Sequence, residues 1–462
     1  MSTMIPMFPR ALTSWWPRAA GLVAVLAMLW PSPSLAAPAA RRAARTTAAP
    51  PTRLPFDSAA AEGGPSTFLV GASIHVGDGT VIEDGVIELR GARIVAVGGP
   101  GRAGSIPADA AVVDLQGKRV TPGLVSAATS LGLVEIGMEQ STVDAERQGE
   151  DPVRSGYDAS MAINADSSLI AVNAIEGITS AAVTPRGGLL SGQVAWIDLL
   201  AGEHRTIVSA PRIAAAGVLG PALAGSRAAT FARLLEVLDD ARLYGERRTA
   251  FDRRQTRDLA AHRLDLEALG PVLDGTVPLV VHADRASDLL ALAQLAEQTD
   301  LRIAVVGGAQ AWKVAEALAS AKISVIVQPS TNLPEGMDQL GSRLDNAALL
   351  HAAGVRVGIA VIGDAHNARN ATQEAGIAVA YGLPPEVALS AVTLELARIY
   401  GMDAHYGSIE AGKVANLVVW DGDPFELSQW PQQVYVRGQA IPMRSRQTLL
   451  RDRYRDLSRF RD

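Results

Sequence analysis

Short apolar runs alternate with amphipathic segments between residues 277 and 400, and this pattern constrains the fold more than any other feature. Strands are predicted at 277–282, 303–306, 323–327 and 355–362, and helices at 286–298, 309–319 and 344–353. Two further helical stretches follow the last strand. Four strand–helix repeats at this spacing predict parallel strands joined by crossover helices.

The two ends of the folded region have a different pattern, in which short strands are separated by turns. Runs typical of strands occur at 68–74, 81–82, 86–89, 91–97, 415–420 and 433–438. The first four have the spacing of an antiparallel meander. Between the ends and the repeats, residues 130–270 are less regular; their clearest strands are predicted at 178–183 and 193–197, and residues 231–268 are strongly helical.

The N-terminal segment is predicted not to belong to the fold. Residues 19–30 form an apolar run that is short for a bilayer span, and small residues follow at 34–39. We therefore expect a signal peptide over residues 1–36, a periplasmic or secreted protein, and no membrane association after cleavage. An uncleaved membrane anchor is the alternative. Residues 37–65, rich in Ala, Pro, Arg and Thr, are predicted to be a flexible linker.

Composition excludes several kinds of function. Hydrophobic residues make up 48% of the chain and charged residues 19%, which is ordinary for a protein with a large core. The net charge of −6 gives no indication of a nucleic-acid partner. Because the chain has 0 cysteines, disulfides, thiol catalysis and a lipid-modified cysteine anchor are all excluded.

Three motifs occur in a recognisable order along the folded part. They are Asp78-Gly79-Thr80 followed by Ile82–Gly85, then Thr121-Pro122-Gly123-Leu124, then GSIEAGKVANL over 407–417. Together they resemble the amidohydrolase superfamily, of the metal-dependent hydrolase and imidazolonepropionase-like type, over roughly residues 66–440. Asn416 stands where that family usually has Asp. A generic α/β barrel is the alternative.

The resemblance implies an α/β fold with defined domain boundaries. A TIM-like (β/α)8 barrel is expected over residues 121–402. A small β-sandwich, the composite domain of metal-dependent hydrolases, is expected to form from both chain ends, residues 66–120 and 403–445. Residues 446–462 are expected to be a charged C-terminal tail.

The resemblance also implies a metal site whose ligands are largely missing here. Family members carry two histidines on strand 1, one histidine at the end of strand 5, another at the end of strand 6, and a general-base Asp at the end of strand 8. The strand-1 positions fall on Ala128 and Ser130, and the strand-6 position falls on Gly307. None of these replaces imidazole. His282 matches the strand-5 ligand, and Asp364 is the best match to the strand-8 Asp and thus the candidate catalytic residue.

Two short patterns leave open a reduced metal site. His282 and Asp284, and likewise Asp364 and His366, place a histidine and a carboxylate two residues apart. If all four converged, they would form a mixed nitrogen and oxygen site for one weakly bound divalent metal, with zinc favoured. The alternatives are a solvent-facing or core His282, an Asp284 that pairs with Arg285 or caps the next helix, a turn or capping Asp364, and a loop position for His366.

The sequence therefore favours an exported amidohydrolase-family protein with a degenerate metal site. Such a pseudoenzyme would be inactive or weakened, and would bind a small-molecule ligand or act as the partner of an active paralogue. The alternative is an active hydrolase of non-peptide C–N bonds, in cyclic amides or dipeptide-like compounds, with His282 and Asp364 around one metal or none. A structural or binding role on another surface is a third possibility.

Overall fold

The computed structural model describes residues 54–57, 64–146, 149, 151–220 and 223–455. The predicted signal peptide and most of the predicted linker lie outside these ranges, so both stay predictions. Within the described residues, no helix combines the length and the apolar character that crossing a membrane requires.

The described chain forms sixteen strands. They are β1 (Ser66–His75), β2 (Val81–Arg90), β3 (Arg93–Gly98), β4 (Ala111–Asp114), β5 (Arg119–Pro122), β6 (Leu124–Thr129), β7 (Ile178–Val183), β8 (Leu190–Asp198), β9 (Val208–Val218), β10 (Leu279–Ala283), β11 (Ile303–Gly307), β12 (Ser324–Val327), β13 (Val357–Ile359), β14 (Leu417–Trp420), β15 (Pro431–Val436) and β16 (Gln439–Ala440). Backbone hydrogen bonds join them into two eight-stranded sheets.

Twelve α-helices are described. They are α1 (Ser168–Ala174), α2 (Arg227–Glu246), α3 (Arg248–Asp252), α4 (Arg263–Ala268), α5 (Gly270–Leu273), α6 (Ala286–Gln298), α7 (Ala315–Ser320), α8 (Asn346–Ala352), α9 (Ala371–Ala380), α10 (Pro385–Ala391), α11 (Leu394–Ile399) and α12 (Arg446–Arg455). The prediction for 286–298 coincides with α6. The predicted helix at 309–319 is instead a 3-10 turn, Ala311–Val314, followed by α7.

The first sheet unites the two ends of the folded region. Its order is β16-β15-β14-β5-β1-β2-β3, and β4 pairs with β1. The predicted meander is confirmed, because β1, β2 and β3 pair antiparallel. The strand β14, from the C-terminal part, pairs antiparallel with β5. The structure thus shows one sheet built from both ends, and it does not confirm a two-sheet sandwich.

The boundary between the sheets lies slightly later than the sequence predicted. Thr121 and Pro122, expected to enter the barrel, belong to β5, where they pair with Val418 and Leu417 of β14. Gly123 separates them from β6. A Cβ atom at this glycine would lie 2.0 Å from Oγ1 of Thr179, so only glycine lets the chain pass from one sheet into the other here.

The second sheet forms the curled wall of a TIM-barrel-like domain. Its order follows the chain from β6 to β13. The strands β10 to β13 are parallel, as the four strand–helix repeats predicted, and β9 pairs parallel with β10. After β13, the backbone N–H of Gly363 donates to the carbonyl oxygen of Ala128 at 3.0 Å, which links the last strand segment to β6.

The third strand departs from a regular (β/α)8 barrel. The strand β8 runs antiparallel to both β7 and β9. The connections 184–189 and 199–207 are too short for a crossover helix, so they form hairpins instead. The sequence prediction missed β9 and took every barrel strand to be parallel. The strand count is nevertheless unchanged, so β10, β11 and β13 remain the fifth, sixth and eighth strands.

The barrel interior is filled with side chains. Val280, Val306 and Ile326 from parallel strands pack there with Trp196 of β8 and with Tyr400, which follows α11. The rings of Trp196 and Tyr400 meet edge to face at 6.4 Å between centroids. Because the interior is occupied, any ligand space has to lie above it, at the carboxyl ends of the strands.

A buried ion pair joins the two sheets. Asp198, at the end of β8, accepts a hydrogen bond at 2.8 Å from Nε of Arg437, which follows β15. Both side chains are buried, with 0% and 4% of their area exposed. The remaining acceptor positions of Asp198 are filled by Ser180, Ser209, Tyr406 and Asn416. A buried pair with every lone pair satisfied fixes the geometry between its two elements.

One part of the predicted linker packs on this junction. Leu54 is buried, and Asp57 accepts hydrogen bonds from Arg93 at 2.5 and 3.0 Å. The ring of Phe56 lies 4.0 Å from the guanidinium carbon of Arg437. Residues 54–57 are therefore a docked turn rather than free linker, a contact that composition alone does not reveal.

We predict that Asp198→Asn strongly destabilises the fold. The substitution keeps the shape but leaves the Arg437 guanidinium buried without its counter-charge, which typically costs about 3–5 kcal/mol. The matched control is Asp421→Asn, because Asp421 pairs with Lys118 on the surface, where both side chains are well exposed; there we expect at most about 1 kcal/mol. Urea unfolding measures both. Equal losses would contradict a central role for the buried pair.

Candidate functional site

A cavity of about 660 Å³ opens at the carboxyl ends of the barrel strands. Its floor is apolar and includes Val280, Val306 and Val327, whereas the walls are polar. The lining also contains Ala128, Ser130, His282, Asp284, Gly307 and Asp364. Six of the seven candidate positions from the sequence therefore lie around one cavity, at the place where such folds put their sites.

His282 and Asp284 form a pair on the wall at the end of β10. Nε2 of His282 lies 3.6 Å from Oδ2 of Asp284, and the histidine side chain is 43% exposed. Asp284 is held on two further sides: Oδ1 accepts from the backbone N–H of Ala309 at 3.0 Å, and Oδ2 accepts from Nε2 of Gln339 at 3.0 Å. Asp284 thus neither pairs with Arg285 nor caps α6, the two alternatives that the sequence left open.

The surroundings of Asp284 favour its charged form. Burial by itself raises the pKa of this carboxyl group, but hydrogen bonds from His282, Gln339 and the Ala309 backbone, together with the histidine charge, act in the opposite direction and leave the pKa below its usual value. A carboxylate fixed in this way organises the rim around a negative charge without a metal ion.

Gly307, the sixth-strand ligand position, has no room for a side chain. Its φ is +93°, in the region that L-residues rarely adopt. A Cβ atom added here would lie 2.6 Å from Oδ1 of Asp284 and 3.0 Å from Nε2 of His282. A histidine could therefore not replace Gly307 without moving Asp284, because the Asp284 carboxylate already occupies the space that the Cβ atom of such a side chain would need.

The first-strand positions lie in an irregular stretch of backbone. Ala128 has a φ of +51°, although it is not glycine, and its carbonyl oxygen accepts from Gly363 at 3.0 Å. Ser130 is buried at the end of the same segment. The hydroxyl of Tyr400 lies beside the Ala128 backbone and the Thr184 side chain, and burial raises its pKa far above the ordinary value, so it stays protonated. Ala128, Ser130 and Tyr400 thus bring no charge to the rim next to β6.

Asp364 and His366 are placed differently from each other. Asp364 is exposed on the cavity wall and accepts from the backbone N–H of His366 at 2.8 Å and from Nδ2 of Asn367 at 2.7 Å, which is the geometry of an Asx turn. Nε2 of His366 instead lies 3.1 Å from Nη2 of Arg369, and this histidine does not line the cavity. The structure therefore does not bring the four predicted residues together.

The residues present do not fit the metal centre of the family. Structural and catalytic zinc sites use three or four protein ligands. Among the residues that the structure describes, no three His, Asp or Glu side chains are grouped closely enough to hold a metal ion. His282 and Asp284 supply two donors, and both oxygens of Asp284 already accept hydrogen bonds from neutral groups.

Sequence reasoning missed the polar wall contributed by the segments after β11, β12 and β13. Glu374, in α9, is buried and accepts hydrogen bonds from Ser330 and Gln328. Asn346, which begins α8, is buried and donates to the carbonyl oxygen of Gly308 at 3.0 Å. The signal available was that Glu374 is the one charged residue of the helix Ala371–Ala380.

A protein-family model matches part of the chain. Residues 283–441, which run from the end of β10 to the segment after β16, match the model of the amidohydrolase family. The match identifies residues 283–441 as similar to the amidohydrolase family.

Individual relatives are distant or match briefly. The chain is 24% identical over 377 residues to Amidohydrolase tasK of Hapsidospora irregularis. The aligned region covers 73% of this chain and 38% of that protein. It is 49% identical over 51 residues to the imidazolonepropionase of Pseudomonas aeruginosa, covering 11% of this chain and 13% of the enzyme. The chain thus spans well under half the length of these relatives.

Solved structures share the amidohydrolase architecture. An amidohydrolase from Thermotoga maritima is similar with a TM-score of 0.73 at 24% identity, over 82% of this chain and 100% of that one. Molinate hydrolase is similar with a TM-score of 0.52 at 18% identity, over 82% and 95% of the two chains. At these identities, the similarity shows that this chain shares the fold of those proteins, and it does not show that it shares their chemistry.

We predict that Gly307→Ala destabilises the protein more than Gly79→Ala. The two glycines have nearly equal φ values, +93° and +96°, but a Cβ atom at Gly79 meets no atom within 4 Å. Both changes carry the strain of a positive φ, about 1–2 kcal/mol, and only Gly307 adds a steric clash of about 1–3 kcal/mol. Denaturant unfolding measures the difference. Equal costs would show that Asp284 does not fill this space.

Proposed function

We propose that this amidohydrolase-family protein binds a small polar molecule in its rim cavity and does not carry out metal-dependent hydrolysis. A cavity of about 660 Å³ with an apolar floor and polar walls is typical of small-molecule sites. The family fold supplies the position of the site, and the residues of this chain supply its altered chemistry.

The geometry at Gly307 carries this proposal. The family mechanism needs a metal-bound water, and the ligand positions for that metal are Ala128, Ser130 and Gly307 in addition to His282 and Asp364. A Cβ atom at position 307 would lie 2.6 Å from Oδ1 of Asp284. Hydrogen bonds from Ala309 and Gln339 fix Asp284 in this place. A rim stabilised in this way is complete without the metal.

Two parts of the proposal rest on sequence. Export to the periplasm is supported by the apolar run at 19–30 and the small residues that follow it. A role as the partner of an active paralogue is compatible with a protein that has the family fold but lacks the family's metal ligands at the rim. The sequence lacks the family's ligand residues on two strands, whereas it matches the family motif over Gly407–Leu417.

One observation favours a second function, hydrolysis of C–N bonds without the usual metal centre. His282 is part-exposed in the cavity, and its Nε2 lies 3.6 Å from Oδ2 of Asp284, so the imidazole is placed where it could exchange a proton with a bound compound. Asp364, the candidate general base from the sequence, lines the same cavity. Turnover of dipeptide-like or cyclic amide compounds that is lost in His282→Gln would support this function over binding alone.

Metal analysis separates a binding protein from a metallohydrolase. We expect the purified protein to hold well below one zinc ion per chain. We also expect Ala128→His combined with Ser130→His not to restore zinc binding, because the space at Gly307 and both oxygens of Asp284 remain occupied. Inductively coupled plasma mass spectrometry measures both. Close to one zinc per chain in the unmodified protein would overturn the proposal.

A further inference from the structure

The connection between β12 and α8 runs along the mouth of the cavity, and its residues 331–341 are called the strap below. Glu335 and Gln339 of the strap line the cavity of about 660 Å³, and both also line a second space of about 720 Å³. Asp284 lines both spaces as well. The strap therefore stands between the two spaces, and a movement of the strap would join them.

The middle of the strap has little packing of its own. Residues 332–337 are all exposed, and the apolar residues Leu333, Met337 and Leu340 are 77%, 81% and 66% exposed. The backbone hydrogen bonds of the strap stay within residues 328–342, so within the described chain none joins it to another strand or helix. A segment with neither a buried core nor a backbone ladder opens more readily than the elements around it.

An ion pair holds the strap to the barrel. Arg227, which begins α2, pairs with the part-exposed Asp338 of the strap. On its other side, Nε of Arg227 lies 3.1 Å from Oδ2 of Asp288, which is buried in α6 and fixes the guanidinium group. The carbonyl oxygen of Asp338 also accepts from Nε2 of Gln310 at 3.0 Å. A part-exposed ion pair is weak and sensitive to salt, so it can be broken without unfolding the barrel.

The two ends of the strap are anchored more firmly. Just before it, Ser330 donates its backbone N–H at 2.8 Å and its hydroxyl at 2.7 Å to the buried carboxylate of Glu374. At the other end, Nε1 of Trp312 donates to the carbonyl oxygen of Gly341 at 2.8 Å. Anchored ends and a weakly held middle are the features of a hinged lid.

Gln339 links the position of the strap to the rim. Its Nε2 donates to Oδ2 of Asp284 at 3.0 Å, while its Oε1 accepts from the backbone N–H of Glu335 at 3.0 Å. The same amide group thus bonds to the strap on one side and to the rim carboxylate on the other. If the strap lifts, Asp284 loses one of its hydrogen-bond donors.

We infer that the strap is a lid on the cavity, that the Arg227–Asp338 ion pair holds it in place, and that its opening withdraws Gln339 from Asp284. Opening breaks this ion pair and a few side-chain hydrogen bonds, but no backbone ladder. Arg227 is then a positioning residue, which acts on Asp284 through the strap. The inference rests on the proposed function, because it concerns access to the proposed ligand cavity.

Pulsed electron spin resonance on the full chain measures the position of the strap. Because the chain has 0 cysteines, spin labels attach only at introduced ones, here Met337→Cys on the strap and Glu297→Cys at an exposed position of α6. We expect two distance populations. Asp338→Ala should raise the share of the minor one roughly two- to five-fold, the effect of losing one part-exposed ion pair. Raising the salt from about 0.1 M to about 1 M should act in the same direction.

Asp239→Ala is the matched control for the loss of an ion pair. Asp239 pairs with Arg242 on the surface of α2, about four turns along the helix from Arg227, so its removal should leave the distances unchanged. A single distance population that neither Asp338→Ala nor salt alters would overturn the inference.

A disulfide tests the inference in the opposite direction. A Cβ atom at Gly341 would lie 3.1 Å from Cγ of Gln310, close to the roughly 3 Å between one sulfur and the opposite Cβ atom of a disulfide. Gln310→Cys with Gly341→Cys should therefore form a bond that holds the strap down. Carbethoxylation of His282 in the cavity, measured by mass spectrometry against the exposed His204 outside it, should be slower in the oxidised than in the reduced form. In Asp338→Ala it should be faster than in the unmodified protein.

Equal rates at His282 in the oxidised and reduced forms would overturn the inference. Should the disulfide not form, the comparison with Asp338→Ala decides, and an unchanged rate there overturns it. Neither readout needs a ligand or a metal, so this inference and the proposed function fail separately. About one zinc per chain would overturn the proposed function alone, whereas a strap that does not move would overturn the lid alone.

Discussion

The buried ion pair between Asp198 and Arg437 is the interaction on which the rest of the structure depends. It connects the antiparallel third barrel strand to the sheet that unites both ends of the folded region, and it also holds the docked turn at 54–57 through Phe56. Every acceptor position of Asp198 is filled, so the desolvation of two charges is offset by a complete set of hydrogen bonds. This junction fixes the position of the barrel strands, whose opposite ends carry the cavity.

The carboxylate at the rim is held differently from the one at the junction, because no arginine pairs with Asp284 among the described residues. Asp284 is held by the Ala309 backbone, by Gln339 and by His282, and Gly307 leaves room for it. Family members would place a metal and its ligands at this edge. Here the Asp284 carboxylate, fixed by these three neighbours, lies at that edge. A second buried carboxylate, Glu374, lines the same cavity and accepts a hydrogen bond from the backbone N–H of Ser330.

Much of the fold was predictable from the sequence, because β10 to β13 are short apolar runs between amphipathic segments. The direction of β8 was not, since Leu190–Asp198 is buried on both faces and gives no periodic signal. At the site, the missing ligands at Ala128, Ser130 and Gly307 were visible as residue types. That Asp284 adjoins the space at Gly307 was not visible, because the contact joins segments whose packing the sequence does not encode locally. The same reason hid Glu374 and Asn346.

If the rim is complete without a metal ion, it should not take up zinc even when zinc is in excess. Anomalous X-ray diffraction from crystals grown with excess zinc tests this, because it locates zinc atom by atom. We expect no zinc peak between His282 and Asp284, with the Asp284 carboxylate still bound to Ala309 and Gln339. An ordered zinc peak at that position, with Gln339 displaced from Asp284, would contradict it.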